Sequence, residues 1–181
     1  MKVTLMALFP SKSACFGKSS APELDEQPTQ RYCCVEMIPT FNSDGNLPAG
    51  IHLVDWDVFL SAFGISVHRL KLIAGLSDAM ACLRTAGCSR LYIDGSFVTT
   101  KSVPNDIDVA WDPAGVDLMR LRTLEPVFFE FTNARAAQKA KVFGEFFPSS
   151  AGADPAGNTF LEFFQIDKYT GNQKGIIALD L

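Results

Sequence analysis

Two short stretches decide the fold of this sequence: Leu91-Tyr92-Ile93-Asp94-Gly95-Ser96 and, after nine intervening residues, Asp106-Ile107-Asp108-Val109. Their apolar residues predict two β-strands, the first ending near Gly95. Because side chains alternate between the two faces of a strand, Asp106 and Asp108 should project to one face, while their apolar neighbours enter the core. Two carboxylates on one face repel each other unless a cation lies between them. Oxygen ligands of this kind favour Mg²⁺ or Mn²⁺.

The Gly95-Ser96 pair stands where the first predicted strand ends. Glycine lets the backbone approach a ligand closely, and serine adds a hydroxyl group to the exposed backbone N–H groups. Such a turn can hold phosphate oxygens. The following connection then brings the aspartate pair alongside, so that both features face the same phosphates.

In this order, the pattern resembles the polymerase-β-like nucleotidyltransferase superfamily. The signature of that superfamily is a hydrophobic strand, Gly-Ser or Gly-Gly, a spacer, and Asp-x-Asp or Asp-x-Glu. The superfamily also places a third carboxylate on a later strand. Glu145, which follows a predicted helix and begins a hydrophobic strand, is our choice for it, with Glu162 and Asp167 as weaker alternatives.

The resemblance extends over residues 37–181, about four-fifths of the chain. It points to a small, uncharacterised bacterial and phage branch of the superfamily. The shared features are an Ile-Pro-x-Phe…Gly-Asn-Leu-Pro-x-Gly opening at residues 38–50, an Arg-Ala-Ala-Gln-Lys-Ala segment at residues 135–140, and a closing Phe-Phe-Gln-x-Asp…Lys-Gly-Ile-Ile at residues 163–177.

This resemblance implies an α/β fold, a mixed β-sheet flanked by helices. It also implies transfer of a nucleoside monophosphate from an NTP to an acceptor hydroxyl, with Mg²⁺ or Mn²⁺ as cofactor. The implied metal ligands and catalytic residues are Asp106, Asp108 and Glu145. Residues that could bind the phosphates are Gly95, Ser96, Lys101, Arg135, Lys139 and Lys141.

Periodicity and turn residues predict the surrounding elements. Helices are expected to begin at Asp55 and at Ser66, the second ending at Gly87, and two more should cover residues 117–124 and 134–142. The Phe-rich segments at residues 143–148 and 160–166 are both predicted as strands, as is the segment at residues 176–179. Residues 38–51 contain turn residues.

Composition limits the remaining possibilities. Residues 1–36 lack sustained periodicity and are expected to be a poorly ordered or extended segment before a single domain at residues 37–181. The net charge of −4 argues against a broad nucleic-acid-binding face. The five cysteines form no CxxC pair and suggest reduced thiols in the cytoplasm. No apolar run is long enough to span a membrane.

Three functions remain open from the sequence. The first is an active nucleotidyltransferase whose acceptor is a protein, an RNA or a small molecule. The second is a catalytically silent nucleotide-binding or regulatory module with the same fold, such as an antitoxin or a phage-defence component. The third is a nuclease or another phosphotransfer enzyme that uses the same metal pair, which the Gly95-Ser96 turn makes less favoured. The oligomeric state and the base preference are not predicted.

Overall fold

The computed structural model describes residues 37–181. The expectation for residues 1–36 lies outside the described residues. Within them, the chain forms a mixed α/β fold with a five-stranded sheet, as the sequence predicts. The strands are β1 (Gly50–Leu53), β2 (Arg90–Asp94), β3 (Ile107–Trp111), β4 (Gly144–Pro148) and β5 (Gly175–Asp180). The α-helices are α1 (Trp56–Phe63), α2 (Val67–Thr85), α3 (Leu118–Leu124), α4 (Ala136–Val142) and α5 (Phe160–Phe164).

The sheet has the strand order β1-β5-β2-β3-β4. The two outer pairs, β1 with β5 and β3 with β4, are parallel, whereas β2 is antiparallel to both of its neighbours. The antiparallel pairing of β2 and β3 brings the two sequence stretches that contain Gly95 and Asp108 side by side. Helix α4 packs against the edge strand β4, where the buried Gln138 side chain accepts the N–H of Phe146 at 2.7 Å.

One face of the sheet carries the main core. Alternate strand residues such as Ile93, Val109 and Phe146 point to this face, and apolar residues of α1 to α4 pack against them. Ser66 caps α2 as predicted, because its side chain accepts the N–H of Arg69. A smaller apolar cluster lies on the opposite face, where α5 contributes Phe164. No helix among residues 37–181 is both long and apolar enough to cross a bilayer.

The prediction of a strand at residues 160–166 is wrong, because residues 160–164 form α5. Thr159 and Glu162 build a capping box at its start: the Thr159 hydroxyl accepts the N–H of Glu162, and the Glu162 carboxylate accepts the N–H of Thr159. The Phe160 ring then stacks on Phe147, with ring centroids 3.9 Å apart. The turn-rich segment also contains a strand that was not predicted, β1.

Candidate functional site

Three carboxylates stand in a row across three adjacent strands. In the strand register, Asp108 of β3 lies opposite Asp94 of β2 on one side and opposite Glu145 of β4 on the other. Directly paired residues project to the same face of a sheet. Asp106, two residues before Asp108, projects to that face as well. The sheet therefore collects four carboxylates at one place, on the face opposite the main core.

The turn after β2 is shaped by Gly95. Its φ of 78° lies in the left-handed region, where residues with a Cβ atom are strained. A Cβ atom on Gly95 would also collide with the carboxylate of Asp108. This glycine therefore lets the Asp108 carboxylate pack directly against the turn, and Ser96 follows as the first residue of a short 3₁₀ turn.

A buried arginine of α2 holds the connection that follows Ser96 in place. Arg69 of α2 is 2% exposed, and its guanidinium donates to the carbonyl oxygens of Phe97 at 2.8 Å and Lys101 at 2.7 Å. It also lies 4.7 Å from the centre of the Phe97 ring. On the other side, the N–H of Thr100 donates to the carbonyl oxygen of Gly45 at 3.0 Å. The segment that carries Ser96 and Lys101 is thus fixed before any ligand binds.

Three cations neutralise part of the acidic row. Arg135 Nε lies 2.8 Å and Lys139 Nζ lies 3.0 Å from the same oxygen of Glu145, Oε1. The Lys139 ammonium also lies 3.3 Å from Asp106 Oδ2. On the other side of the row, Lys174 Nζ donates to Asp94 Oδ1 at 2.6 Å. Four carboxylates face three cations in these contacts, which leaves one formal negative charge in excess.

Asp108 is the carboxylate of the row that has no cationic partner among residues 37–181. Burial and the neighbouring Asp106, Asp94 and Glu145 carboxylates raise the pKa of Asp108 to about 7. Burial alone would also raise the pKa of Glu145. The hydrogen bonds and charges of Arg135 and Lys139 outweigh burial there and hold that pKa below its ordinary value.

The arrangement fits a divalent cation at the aspartate pair. Asp106 and Asp108 supply carboxylate oxygens to the same cleft, and Asp108 has no counter-ion among residues 37–181. Glu145 is adjacent to Asp108 but is occupied by Arg135 and Lys139. Within the part of the chain that the structure describes, no three acidic, His or Cys side chains form a ready-made metal site. The residues thus present a pair of ligands and not a complete set.

The acidic row lines a cleft of about 740 Å³, a volume within the range of small-molecule sites. One wall is the segment after Gly95, and another contains aromatic residues of α5 and the chain that follows it. The predicted residues that line the cleft are Gly95, Ser96, Lys101, Asp106, Asp108, Arg135 and Glu145. Lys139 does not line it but contacts two of the carboxylates that do.

The other candidates named from the sequence have local structural roles. Glu162 belongs to the capping box of α5. Asp167 lies at the cleft, but its carboxylate accepts the N–H groups of Tyr169 and Thr170 and the side-chain amide of Asn46. Lys141 points to Glu125, 2.7 Å away. Of the three acids considered for the third position, Glu145 is the one that the strand register places beside Asp108.

Sequence reasoning missed three residues of the site: Asp94, Lys174 and Arg69. Asp94 lies inside the quoted strand, but its position opposite Asp108 follows from the strand register, which the sequence does not specify. Lys174 lies within the closing segment of the resemblance and was not singled out. Arg69 carried a usable signal, because it falls three or four residues before the apolar positions Leu72 and Ile73 on the buried side of α2.

Comparison with known proteins gives a family without an assigned activity. No curated protein and no solved structure matches the chain. Residues 39–180, nearly the whole of the described region, match a family of unknown function, DUF6932. Since this match covers well over half of the sequence, the chain belongs to the family of unknown function DUF6932.

Proposed function

We propose that this protein binds a nucleoside triphosphate together with Mg²⁺ or Mn²⁺ and transfers the nucleoside monophosphate to an acceptor hydroxyl. The observation that carries the proposal is the position of Asp106 and Asp108 in the cleft, with the Asp108 carboxylate packed against the Gly95-Ser96 turn. The resemblance to polymerase-β-like nucleotidyltransferases, noted from the same residues, supports it.

The reaction would proceed by attack of the acceptor oxygen on the α-phosphorus of the NTP. A new P–O bond forms to the acceptor, the bond to the β,γ-diphosphate breaks, pyrophosphate leaves, and the acceptor proton passes to solvent. A metal held by Asp106 and Asp108 would neutralise charge on the phosphates. The protein itself would supply positioning: the Gly95-Ser96 turn offers backbone and hydroxyl groups to phosphate oxygens, and Arg69 keeps that turn fixed.

The acceptor and the location of the reaction belong to the proposal as well. A protein side chain or an RNA end are the acceptors we favour, because the described residues form one small domain built around a single row of acids. We place the reaction in the cytoplasm, in keeping with Cys82 and Cys88, which are both free thiols.

Isothermal titration of the four NTPs, each with Mg²⁺ or Mn²⁺, tests the site directly. The comparison is with the Asp106→Asn, Asp108→Asn double variant, which keeps side-chain volume but removes both charges. Asp78→Asn, at an exposed position of α2, is the matched control. We expect metal-dependent NTP binding that the control keeps and the double variant loses. Absence of NTP binding by the folded protein in the presence of either metal would contradict the proposal.

A second candidate is a nucleotide-binding regulatory module without turnover. The observation that favours it is the engagement of Glu145 by two cations, which leaves the metal with two carboxylate ligands instead of three. Pyrophosphate release separates the two candidates. Metal-dependent binding without pyrophosphate release, in the presence of protein and RNA acceptors, would favour the regulatory module.

A further inference from the structure

Two cationic side chains, from the N-cap residue Arg135 of α4 and from Lys139 within that helix, contact two carboxylates of the acidic row. One oxygen of Glu145 accepts both Arg135 and Lys139, at 2.8 and 3.0 Å. The same lysine reaches Asp106 at 3.3 Å and so bridges two acids. Together these contacts form what we call the α4 clamp: Arg135 and Lys139 on Asp106 and Glu145.

The clamp occupies one oxygen of each carboxylate, Asp106 Oδ2 and Glu145 Oε1, and its positive charges compete with a metal ion for these two acids. A divalent cation at Asp106 would lie close to the Lys139 ammonium, and like charges at that separation repel strongly in a partly buried site. A carboxylate oxygen that already accepts two cationic donors, as in Glu145, is also a poorer metal ligand. The metal can therefore use these acids fully only if the clamp moves.

Lys139, one of the two clamp residues, projects from a fixed helix. Helix α4 is anchored by the buried Gln138, which accepts the N–H of Phe146 at 2.7 Å, and by the buried Val142. The Lys139 side chain, in contrast, is 41% exposed. The Lys139 side chain can therefore change its conformation without movement of the helix.

The backbone that carries Arg135 is strained. Asn133, Ala134 and Arg135 have consecutive φ values of 49°, 51° and 57°, in the left-handed region that asparagine tolerates but that alanine and arginine avoid. Such backbone persists only where contacts hold it in place. The ion pair with Glu145 is one of these contacts, and the position of the guanidinium over the Phe147 ring, 4.8 Å from its centre, is another. Loss of the ion pair would therefore free a segment that is already under strain.

We propose that Arg135 and Lys139 are displaceable counter-ions that hold Asp106 and Glu145 in the metal-free protein and move to the nucleotide phosphates when metal takes the carboxylates. This inference rests on the proposed function. It makes metal and nucleotide binding mutually reinforcing, because phosphates stabilise the released cations and metal releases them. Metal alone then binds weakly, and the clamp keeps the site from filling with metal when nucleotide is absent.

The test measures Mn²⁺ binding by electron paramagnetic resonance, without phosphate and with inorganic tripolyphosphate, for the full chain and three variants. Lys139→Gln removes the bridging charge. Lys139→Arg retains it. Lys71→Gln makes an identical charge change at an exposed α2 position outside the cleft and is the matched control.

In the Lys139→Gln variant, the clamp predicts a higher affinity for free Mn²⁺ and a smaller effect of tripolyphosphate on that affinity. Lys139→Gln should bind free Mn²⁺ about tenfold more tightly, and its gain in Mn²⁺ affinity on adding tripolyphosphate should shrink by about tenfold, which is within the usual range of coupling between two sites. Lys139→Arg and Lys71→Gln should behave like the unchanged protein. A lysine with a purely structural role would not produce this pair of opposite changes.

The outcomes separate this inference from the function on which it rests. If the unchanged protein binds Mn²⁺, and Lys139→Gln binds it equally or more weakly, the clamp is overturned while the metal site stands. If neither protein binds Mn²⁺, with or without tripolyphosphate, both the clamp and the proposed function fail. Mn²⁺ binding that appears only in Lys139→Gln supports the clamp, as does a tripolyphosphate-dependent gain in Mn²⁺ affinity that Lys139→Gln loses.

Discussion

The two faces of the sheet differ in chemistry around the acidic row, although the same strands form both faces. On the helix-covered face, Ile93, Val109 and Phe146 are at most 1% exposed and pack into the main core. One residue along, on the cleft face, Asp94 and Asp108 stand beside Glu145. A shift of one residue exchanges the two faces of a strand, so the strand register that builds the core also builds the acidic row. The two faces should therefore respond to substitution in opposite ways.

The largest effect is expected on the core face. Phe146→Ala removes a ring that is 1% exposed and stacked on Phe128 with centroids 4.9 Å apart. It should lower the free energy of unfolding by about 3–5 kcal/mol, because the buried ring leaves a cavity. Urea unfolding followed by circular dichroism measures the change. Phe163→Ala, at a 40% exposed position lining the cleft, is the control and should cost only about 1 kcal/mol. Similar losses from both substitutions would contradict the contrast between the faces.

Arg69 of α2 binds the segment after Ser96 that forms one wall of the cleft. Its replacement should have the next largest effect on stability. Arg69→Met keeps the apolar stem but leaves the carbonyl oxygens of Phe97 and Lys101 without their donor. We expect a loss of about 2–3 kcal/mol in the free energy of unfolding. The segment after Ser96 should also show faster amide hydrogen exchange, whereas β4 should not. Arg84→Met, at an exposed position of the same helix, should change neither quantity. Uniformly faster exchange throughout the sheet would mean that Arg69 stabilises the whole fold and not this segment.

On the cleft face, removal of a charge should stabilise the metal-free protein. The pKa of Asp108 is raised to about 7 by burial and by its acidic neighbours. Because this pKa lies above the unfolded value of about 3.9, the folded state binds more protons between the two values. Stability in chelator should therefore fall as the pH rises from about 4 to 7, and Asp108→Asn should abolish that part of the fall.

At pH 8 in chelator, Asp108→Asn should raise the free energy of unfolding by about 1–2 kcal/mol, less than the full pKa difference would give, because the side chain keeps some contact with water. Urea unfolding at pH 5 and pH 8 measures this gain, and Asp78→Asn should show none. Addition of Mn²⁺ should reverse the order, because it stabilises only the protein that keeps Asp108. A variant that is less stable than the unchanged protein in chelator would rule out charge crowding at this position.

The sequence predicts the central strands because their signal is local. The alternation around Asp106 and Asp108 and the spacing after Gly95 give β2, β3 and the turn between them. Ser66 similarly marks the start of α2. The fold class and the face that carries the aspartate pair could be predicted from such patterns alone.

The remaining parts depend on contacts that a linear pattern does not contain. Helix α5 is rich in Phe and resembles a strand until the capping box of Thr159 and the ring stack on Phe147 are considered. Asp94 joins the site only through its register with Asp108, and Lys174 only because β5 pairs with β2. The pairing of strands determines which charged side chains meet at the site. The sequence therefore predicts several of the site residues but not the ion pairs between them.

The smallest effect is expected at the rim of the cleft, where local turn contacts and not apolar burial maintain the structure. The backbone N–H of Thr170, the side chain of Asn46 and the N–H of Tyr169 together lower the pKa of Asp167 to about 2. Since the folded pKa lies below the unfolded value of about 3.9, this carboxylate stabilises the fold above that value, and its contribution is lost as the pH falls through about 2. Asp167→Asn should therefore lower the thermal midpoint slightly at pH 7 and by less at pH 3. It should speed amide exchange at Thr170 while leaving exchange in β3 unchanged. If Asp167→Asn lowered the thermal midpoint at pH 7 as much as Arg69→Met does in the same measurement, the rim would contribute to the stability of the whole sheet.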